Sequence, residues 1–245
     1  MKHRLDQLLV EKGLAESRTR AQALILEGKV RVGGQVETKA SRSVDESAAL
    51  EIEAPPRFVS RGGEKLAGAF EKFPSLSAKD RICLDVGSST GGFTDCLLQN
   101  GAAKVMAVDV GTNQLAYKLR TDPRVWVREN YNARFMKSED LPDVPTLAVT
   151  DVSFISLRLI LPPIVDVLAS GGEIVALIKP QFEVGKGKAP GGLVRDEALR
   201  LEARDGIVHF AETELGLRLL GLEESPIRGR EMGNIEYLSY WRKSL

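Results

Sequence analysis

The chain has 245 residues, 34 lysines and arginines against 34 aspartates and glutamates, and 43% hydrophobic residues. That composition is globular, excludes a disordered or fibrous chain, and suffices for one large core plus a small one. Balanced charge removes any general attraction to polyanions, so a nucleic-acid surface has to come from local clustering.

In the N-terminal stretch, Leu5, Leu8 and Leu9 fall at helical spacing and Gly13 ends that helix. Ser17 is placed to cap a second helix, whose apolar face is Ala21, Leu24 and Ile25 and whose stop is Gly28. Val30, Val32 and Val36 alternate across Gly33-Gly34, the pattern of a tight hairpin, and a last strand is expected around Leu50 to Ile52. Between Ser17 and Val44 six bases, Arg18, Arg20, Lys29, Arg31, Lys39 and Arg42, face only two acids, Glu27 and Glu37. One face of this small module could present several of them to phosphates. Glu53 to Arg57, with Pro55 and Pro56 adjacent, reads as a stiff linker. Domains are therefore expected at 1–53 and 61–245, joined by residues 54–60.

Gly62 and Gly63 permit a close turn before a helix opened by Glu64 and Lys65 and running to about Phe73. A lysine at a helix start opposes the helix dipole, so Lys65 is either a snorkelling surface residue or placed there for chemistry. Ile82 to Asp85 is a short apolar run ending in an acid, and Val86-Gly87-Ser88-Ser89-Thr90-Gly91-Gly92 follows at once. A helical segment from Phe93 to Gln99, a second apolar run from Val105 and the acid Asp109 complete a strand, loop, helix, strand unit. The glycines allow close approach of backbone amides to a ligand, and Asp109 is placed for ribose hydroxyls. The spacing G-x-x-x-G-G departs from the dinucleotide fingerprint, and Asp85 suits a ligand with an amino group, such as the amino-acid end of S-adenosylmethionine, better than a pyrophosphate. Cys83 and Cys96 read as buried thiols.

Further strands are expected at Val125 to Val127, Leu147 to Asp151, Ile174 to Ile178, Leu217 to Leu222 and Ile235 to Trp241, with helices from Leu157 to Leu168 and Arg195 to Leu215. Gln181 to Gly192, with Lys186 and Lys188 among its glycines, is a cationic loop. This alternation implies an α/β fold with a mostly parallel sheet, whose ligands bind beyond the carboxyl ends of its strands. Asp85, Asp109, Asp151 and Lys179 all fall at such ends. No apolar stretch approaches spanning length, and Met1 to Arg4 precede no signal-peptide core, so a soluble cytoplasmic protein is expected.

Arg4-Leu5-Asp6, Ser17-Arg18-x-x-Ala21 and Ile25-x-x-Gly28-x-Val30-x-Val32-x-Gly34 resemble the S4-like RNA-binding domain. From Arg4 almost to the C-terminus the chain resembles the TlyA family, an S4-like domain fused to an FtsJ-type methyltransferase domain. The matching stretches are 59–66, 84–95, 151–157, 178–183 and 233–237. The resemblance implies a Rossmann-like class I methyltransferase fold behind a small α+β domain, and 2′-O-methylation of cytidine in ribosomal RNA with S-adenosylmethionine. It implies ribosomal RNA or subunits as partner, and neither metal nor membrane. A Lys-Asp-Lys-Glu tetrad falls on Lys65, Asp151, Lys179 and Glu236. Cofactor contacts fall on Asp85, Gly87, Ser88, Gly91, Gly92, Phe93, Asp109 and Asn132. RNA contacts fall on Arg4, Arg18, Arg20, Lys29, Arg31, Arg61, Arg134, Lys186 and Lys188. One departure is Tyr131, which stands where the family often has threonine.

A ribose 2′-hydroxyl is a poor nucleophile until it loses its proton or its developing charge is stabilised. Lys179 is expected nearest that oxygen with Asp151 beside it, acting either as a base or as a cation. Three rival readings are a non-enzymatic RNA-binding or ribosome-assembly factor, a membrane-lytic haemolysin, a label this family often carries, and a nicotinamide-dependent oxidoreductase, against which the loop spacing and Asp85 count.

Overall fold

The computed structural model describes residues 2–54, 56–185, 187–229 and 233–244. It divides into two compact units, Met1–Pro56 and Arg57–Leu245.

The first unit runs β1 (Lys2–Arg4), α1 (Leu5–Glu11), α2 (Arg18–Leu26), β2 (Val30–Val32), β3 (Gln35–Glu37), β4 (Ser43–Asp45) and β5 (Leu50–Ile52). Ser17 caps α2, its hydroxyl accepting from the Arg20 amide at 3.2 Å. Gly33 and Gly34, at φ 58° and 82°, turn β2 back on β3, since only glycine adopts two such angles in succession without strain. β2 pairs antiparallel with both β3 and β5. The pairing of β1 with β4 left no signal in the sequence, because three-residue strands are too short to alternate. Leu5, Leu8, Leu9, Ala21, Leu24, Ile25, Val30 and Val44 are buried and form the small core.

The second unit runs α3 (Gly62–Lys72), β6 (Ile82–Val86), α4 (Gly92–Gln99), β7 (Lys104–Val108), α5 (Tyr117–Arg120), β8 (Val125–Arg128), β9 (Leu147–Thr150), α6 (Leu161–Val167), β10 (Glu173–Ile178), α7 (Pro180–Glu183), α8 (Glu197–Thr213), β11 (Leu217–Glu224) and β12 (Tyr237–Lys243). Its seven-stranded sheet has the order β11-β12-β10-β9-β6-β7-β8. β8, β7, β6, β9 and β10 are parallel neighbours, and β12 runs antiparallel to β10 and β11. Alternate strand residues feed two cores. Cys83, Val105, Leu147 and Val175 pack with Leu66 of α3 and Leu97 of α4, while Leu84, Met106, Ala148 and Ile174 pack with Ile164 of α6 and Ile207 of α8. Helices thus cover both faces, which is why these strands are apolar along their whole length.

The helix expected from Leu157 is interrupted. A 3-10 turn at Leu157–Leu159 precedes α6, because Pro162 and Pro163 lack the amide protons that a continuous helix needs there. α8 is two residues shorter at each end than its pattern, starting after Asp196, whose carboxylate caps the Ala198 and Leu199 amides. The strand order reverses between β6 and β9, which opens a crevice at their carboxyl ends.

Candidate active site

Sheet register carries three distant residues to that crevice. Thr150 lies beside Ala176 on the parallel pair β9 and β10, so Asp151 and Lys179 leave neighbouring strand ends on the same side. Ile178 faces Tyr237 across the antiparallel pair, so Glu236 precedes β12 where β10 stops. Lys65 reaches them from the first turns of α3.

The four side chains meet. Lys65 Nζ donates to Glu236 Oε2 at 2.7 Å and to Asp151 Oδ2 at 3.4 Å. Lys179 Nζ lies 2.7 Å from Asp151 Oδ1 and donates to Ser153 Oγ at 2.8 Å. The Lys179–Asp151 contact is an ion pair off the line of an aligned hydrogen bond, so Oδ1 receives no aligned donor from the described residues. Gln181 Nε2 donates to the far oxygen of Glu236 at 3.4 Å. Lys65, Lys179 and Glu236 are buried, Glu236 to 2% exposure. Charges so enclosed persist only when paired, and here two ammonium groups alternate with two carboxylates.

Lys65, Asp151 and Lys179 line one cavity of about 580 Å³ together with Arg61, Gly87, Ser88, Gly92 and Phe93. The loop between β6 and α4 is cut close to its surroundings. A Cβ on Gly92 would lie 2.3 Å from Ser60 Oγ and 2.8 Å from the Gly63 nitrogen. Gly91 has φ 96° and faces Leu115 and Leu119 rather than the cavity. Asp109 accepts from the Ser89 amide at 2.7 Å and the Gly111 amide at 2.6 Å, tying the end of β7 to the glycine loop.

Four of the residues expected at the cofactor lie outside the cavity wall: Gly91, Asp109, Asp85 and Asn132. Asp85 is buried beneath the loop outside the cavity wall, where Thr94 Oγ1 donates to its Oδ2 at 2.6 Å. Its other oxygen has no partner among the described residues, and burial pushes the carboxyl up to about 7. Asn132 is exposed, lies outside the cavity wall and caps a short turn, accepting from the Arg134 amide at 3.2 Å. Tyr131, the departure from the family pattern, turns into the structure. Its hydroxyl donates to Asp140 at 2.6 Å, its ring lies under Arg128, and burial pushes the phenol up to about 12. The preceding acid, Glu129, accepts from Arg120 Nη2 and from the Asn113 and Gln114 amides. The Arg120 contact leads in drawing its carboxyl down to about 2.

Of the basic residues singled out, Arg61 stands in the cavity wall and donates to the Arg228 carbonyl at 3.4 Å. Arg134 and Lys188 are exposed, and Lys186 lies outside the described residues. In the first unit Arg4 and Arg18 both bind Asp6, whereas Arg20 and Lys29 line a separate hollow floored by Leu24 and Ile52. Lys29 pairs with Glu27 at 2.7 Å, and Arg31 donates to the Gly34 carbonyl at 3.2 Å. Cys83 and Cys96 are free, buried thiols, each pushed up to about 12 by burial. Among the described residues no group of His, Cys, Asp and Glu is arranged to hold a metal ion, and no helix is long and apolar enough to cross a membrane.

Sequence reasoning passed over Ser153, Gln181, Arg228 and Phe154. Phe154 is 83% exposed at φ 63°, tilted at 49° against Phe182 with centroids 5.2 Å apart, and follows Ser153, the hydroxyl partner of Lys179, in a loop of the site. A bulky residue held in that backbone region and left in solvent is the signal that could have found it, but φ is invisible in a sequence.

The FtsJ-like methyltransferase family model matches residues 58–243, and the S4 domain model matches residues 3–50. The chain is 46% identical over 242 residues to the 16S/23S rRNA (cytidine-2′-O)-methyltransferase TlyA of Mycobacterium tuberculosis, covering 98% of this chain and 89% of that protein. It is 43% identical to Hemolysin A of Brachyspira hyodysenteriae, over 97% of this chain and 99% of that one. A solved structure from Streptococcus thermophilus, also bearing a hemolysin label, superposes with TM-score 0.76 at 43% identity, covering 99% of this chain and 89% of its own. The chain belongs to the FtsJ-like methyltransferase family, in the TlyA group that carries an S4 domain ahead of the enzyme domain.

Proposed function

We propose that the protein methylates the 2′-oxygen of a cytidine in ribosomal RNA with S-adenosylmethionine, in the cytoplasm, with the first unit docking the RNA. The observation that carries this reading is the row Lys179–Asp151–Lys65–Glu236, which opens at its Lys179 end into the cavity walled by the glycine loop.

The residues present suit the cofactor. Gly87, Ser88 and Gly92 give the cavity a backbone-lined wall into which a side chain at Gly92 could not fit. Asp109 retains acceptor capacity at the end of β7 for ribose hydroxyls. S-adenosylmethionine supplies a methyl group already activated on a sulfonium, so the protein's task is alignment and charge stabilisation.

Lys179 serves in this reading as a cation. Ser153 accepts a hydrogen bond from one of its three N–H groups and the Asp151 carboxylate lies beside it, which leaves a donor for the 2′-oxygen as negative charge develops there. Asp151 Oδ1, lacking an aligned donor, accepts the hydroxyl proton. Lys65 and Glu236 fix Asp151 from behind. Phe154, exposed at the same loop, offers a face on which an unstacked base can lie.

The test is incubation with methyl-labelled S-adenosylmethionine and ribosomal subunits from cells lacking the gene, followed by mapping of the modified ribose. Label on a cytidine 2′-oxygen is expected. RNA binding without label transfer would point instead to an assembly factor, and label on a base would displace the tetrad from the chemistry.

A further inference from the structure

Asp6 stands in the first turn of α1 with no solvent exposure, and four hydrogen bonds converge on its carboxylate. Arg4 donates from Nε to Oδ1 and from Nη2 to Oδ2, each at 3.1 Å. Arg18 Nε reaches Oδ2 at 2.9 Å, and Gln22 Nε2 reaches it at 2.8 Å. Pairing explains how a buried carboxylate is tolerated. It does not explain why an acid stands there, because an apolar residue would fill the same space without needing two arginines.

The exposed ends of those arginines supply a reason. The side chains of Arg4 and Arg18 are 43% and 51% exposed, so their carboxylate-bound edges are held while their outer edges face water. Each guanidinium carries five N–H donors, of which Asp6 engages two on Arg4 and one on Arg18.

We propose that Asp6 is a positioning residue for RNA binding, fixing Arg4 and Arg18 as a two-pronged clamp on one backbone phosphate. The proposal rests on the reading of the first unit as the RNA-docking module. Guanidinium and phosphate meet in planar, bidentate geometry, so a pair fixed in advance loses less side-chain freedom on binding than two mobile arginines. Asp6 weakens the long-range field of the module by one charge and in exchange orders its contacts.

That opposition gives a test with a sign. Asp6→Asn raises the net charge by one, so simple attraction makes the full-length variant bind RNA more tightly. The clamp makes it bind 16S or 23S rRNA transcripts about ten-fold more weakly, with the slope of log K against log salt shallower by about 0.7 to 0.9, the loss of one phosphate contact. KM for RNA rises while cofactor affinity stays. Arg18→Lys and Arg4→Lys keep the charge but lose the fork. Each is expected to weaken binding, and the double variant Asp6→Asn, Arg18→Lys to be little weaker than either single. Unchanged or tighter binding by a folded Asp6→Asn protein, or wild-type affinity in both lysine variants, overturns the clamp. If Asp6→Asn does not fold, the lysine variants decide. Failure of the unsubstituted protein to bind either transcript overturns the RNA-docking reading itself, a result distinct from loss of the clamp alone.

Discussion

Lys65 and Glu236 stand 171 positions apart in the chain, yet Nζ lies 2.7 Å from Oε2. Glu236 lines no part of the cavity, so its effect on chemistry passes through Lys65 to Asp151. Glu236→Ala strands a buried ammonium with Asp151 as its remaining acidic neighbour among the described residues. Breaking a buried pair costs roughly 3–5 kcal/mol of fold stability. Lys65 is then drawn onto Asp151, in competition with Lys179, and kcat is expected to fall about 100-fold or more while cofactor affinity is retained. Glu236→Gln keeps an acceptor and is expected to lose rate with a smaller drop in unfolding temperature. Calorimetric unfolding, cofactor titration and methyl-transfer rates separate these effects. Equal rates in the glutamine variant and the parent would remove Glu236 from the site.

Lys179 discriminates between a base and a cation. Lys179→Ala is expected to abolish methyl transfer and leave S-adenosylmethionine binding largely intact. Arginine is always charged and cannot act as a base at working pH. Lys179→Arg is therefore expected to keep measurable single-turnover activity, reduced by misfit of the longer side chain. An arginine variant as dead as the alanine variant, at equal cofactor affinity, would assign Lys179 the role of base.

Gly92 tests the fit of the glycine loop to the cofactor. With a Cβ 2.3 Å from Ser60 Oγ and 2.8 Å from backbone, Gly92→Ala has to move the loop, at a cost of about 1–3 kcal/mol. Titration is expected to show cofactor affinity lowered more than ten-fold. Gly216→Ala is the control. That glycine has φ 62° and open space around it, so alanine strains the backbone by about 1 kcal/mol without touching the cavity. If both variants bind the cofactor alike, the loop is not the cofactor's cradle.

Much of the enzyme domain was legible because its strands are buried on both faces and end in charged residues. Asp109, Asp151 and Lys179 each end an apolar run, which places them at the carboxyl ends of strands from the sequence alone. Lys65 and Glu236 could not be so placed, since their positions depend on a helix packing and an antiparallel return that no local pattern announces; Lys65 stood out only as a lysine at the unfavourable end of a helix, and the family resemblance supplied its pairing with Glu236. Asp85 has the same strand-end signature as Asp109 but points under the loop, because register fixes which strand ends align and leaves side-chain direction to the packing around Thr94. The basic run in the first unit was visible as composition, whereas Asp6, which holds two of its arginines, read only as part of a motif.

Asp85 gives the fold a pH dependence of definite sign. Burial, reinforced by the neighbouring charges of Asp151 and Asp109, holds its carboxyl near 7 against an ordinary value near 3.8, despite the opposing hydrogen bond from Thr94. Below about pH 4 the group is protonated in the folded and unfolded chain alike. Between about 4 and 7 the unfolded chain releases the proton and the folded chain keeps it, so each rise in pH favours unfolding. The stability at stake is about 4 kcal/mol at most, present in full below the unfolded value and gone once pH exceeds the folded one. Asp85→Asn preserves an acceptor for Thr94 and carries no proton to lose. Relative to this variant, the parent's unfolding temperature is expected to fall from pH 5 to about pH 7 and to level off above it. A flat difference across that range would mean that Asp85 is ionised in the fold, with a counter-charge for its unpartnered oxygen.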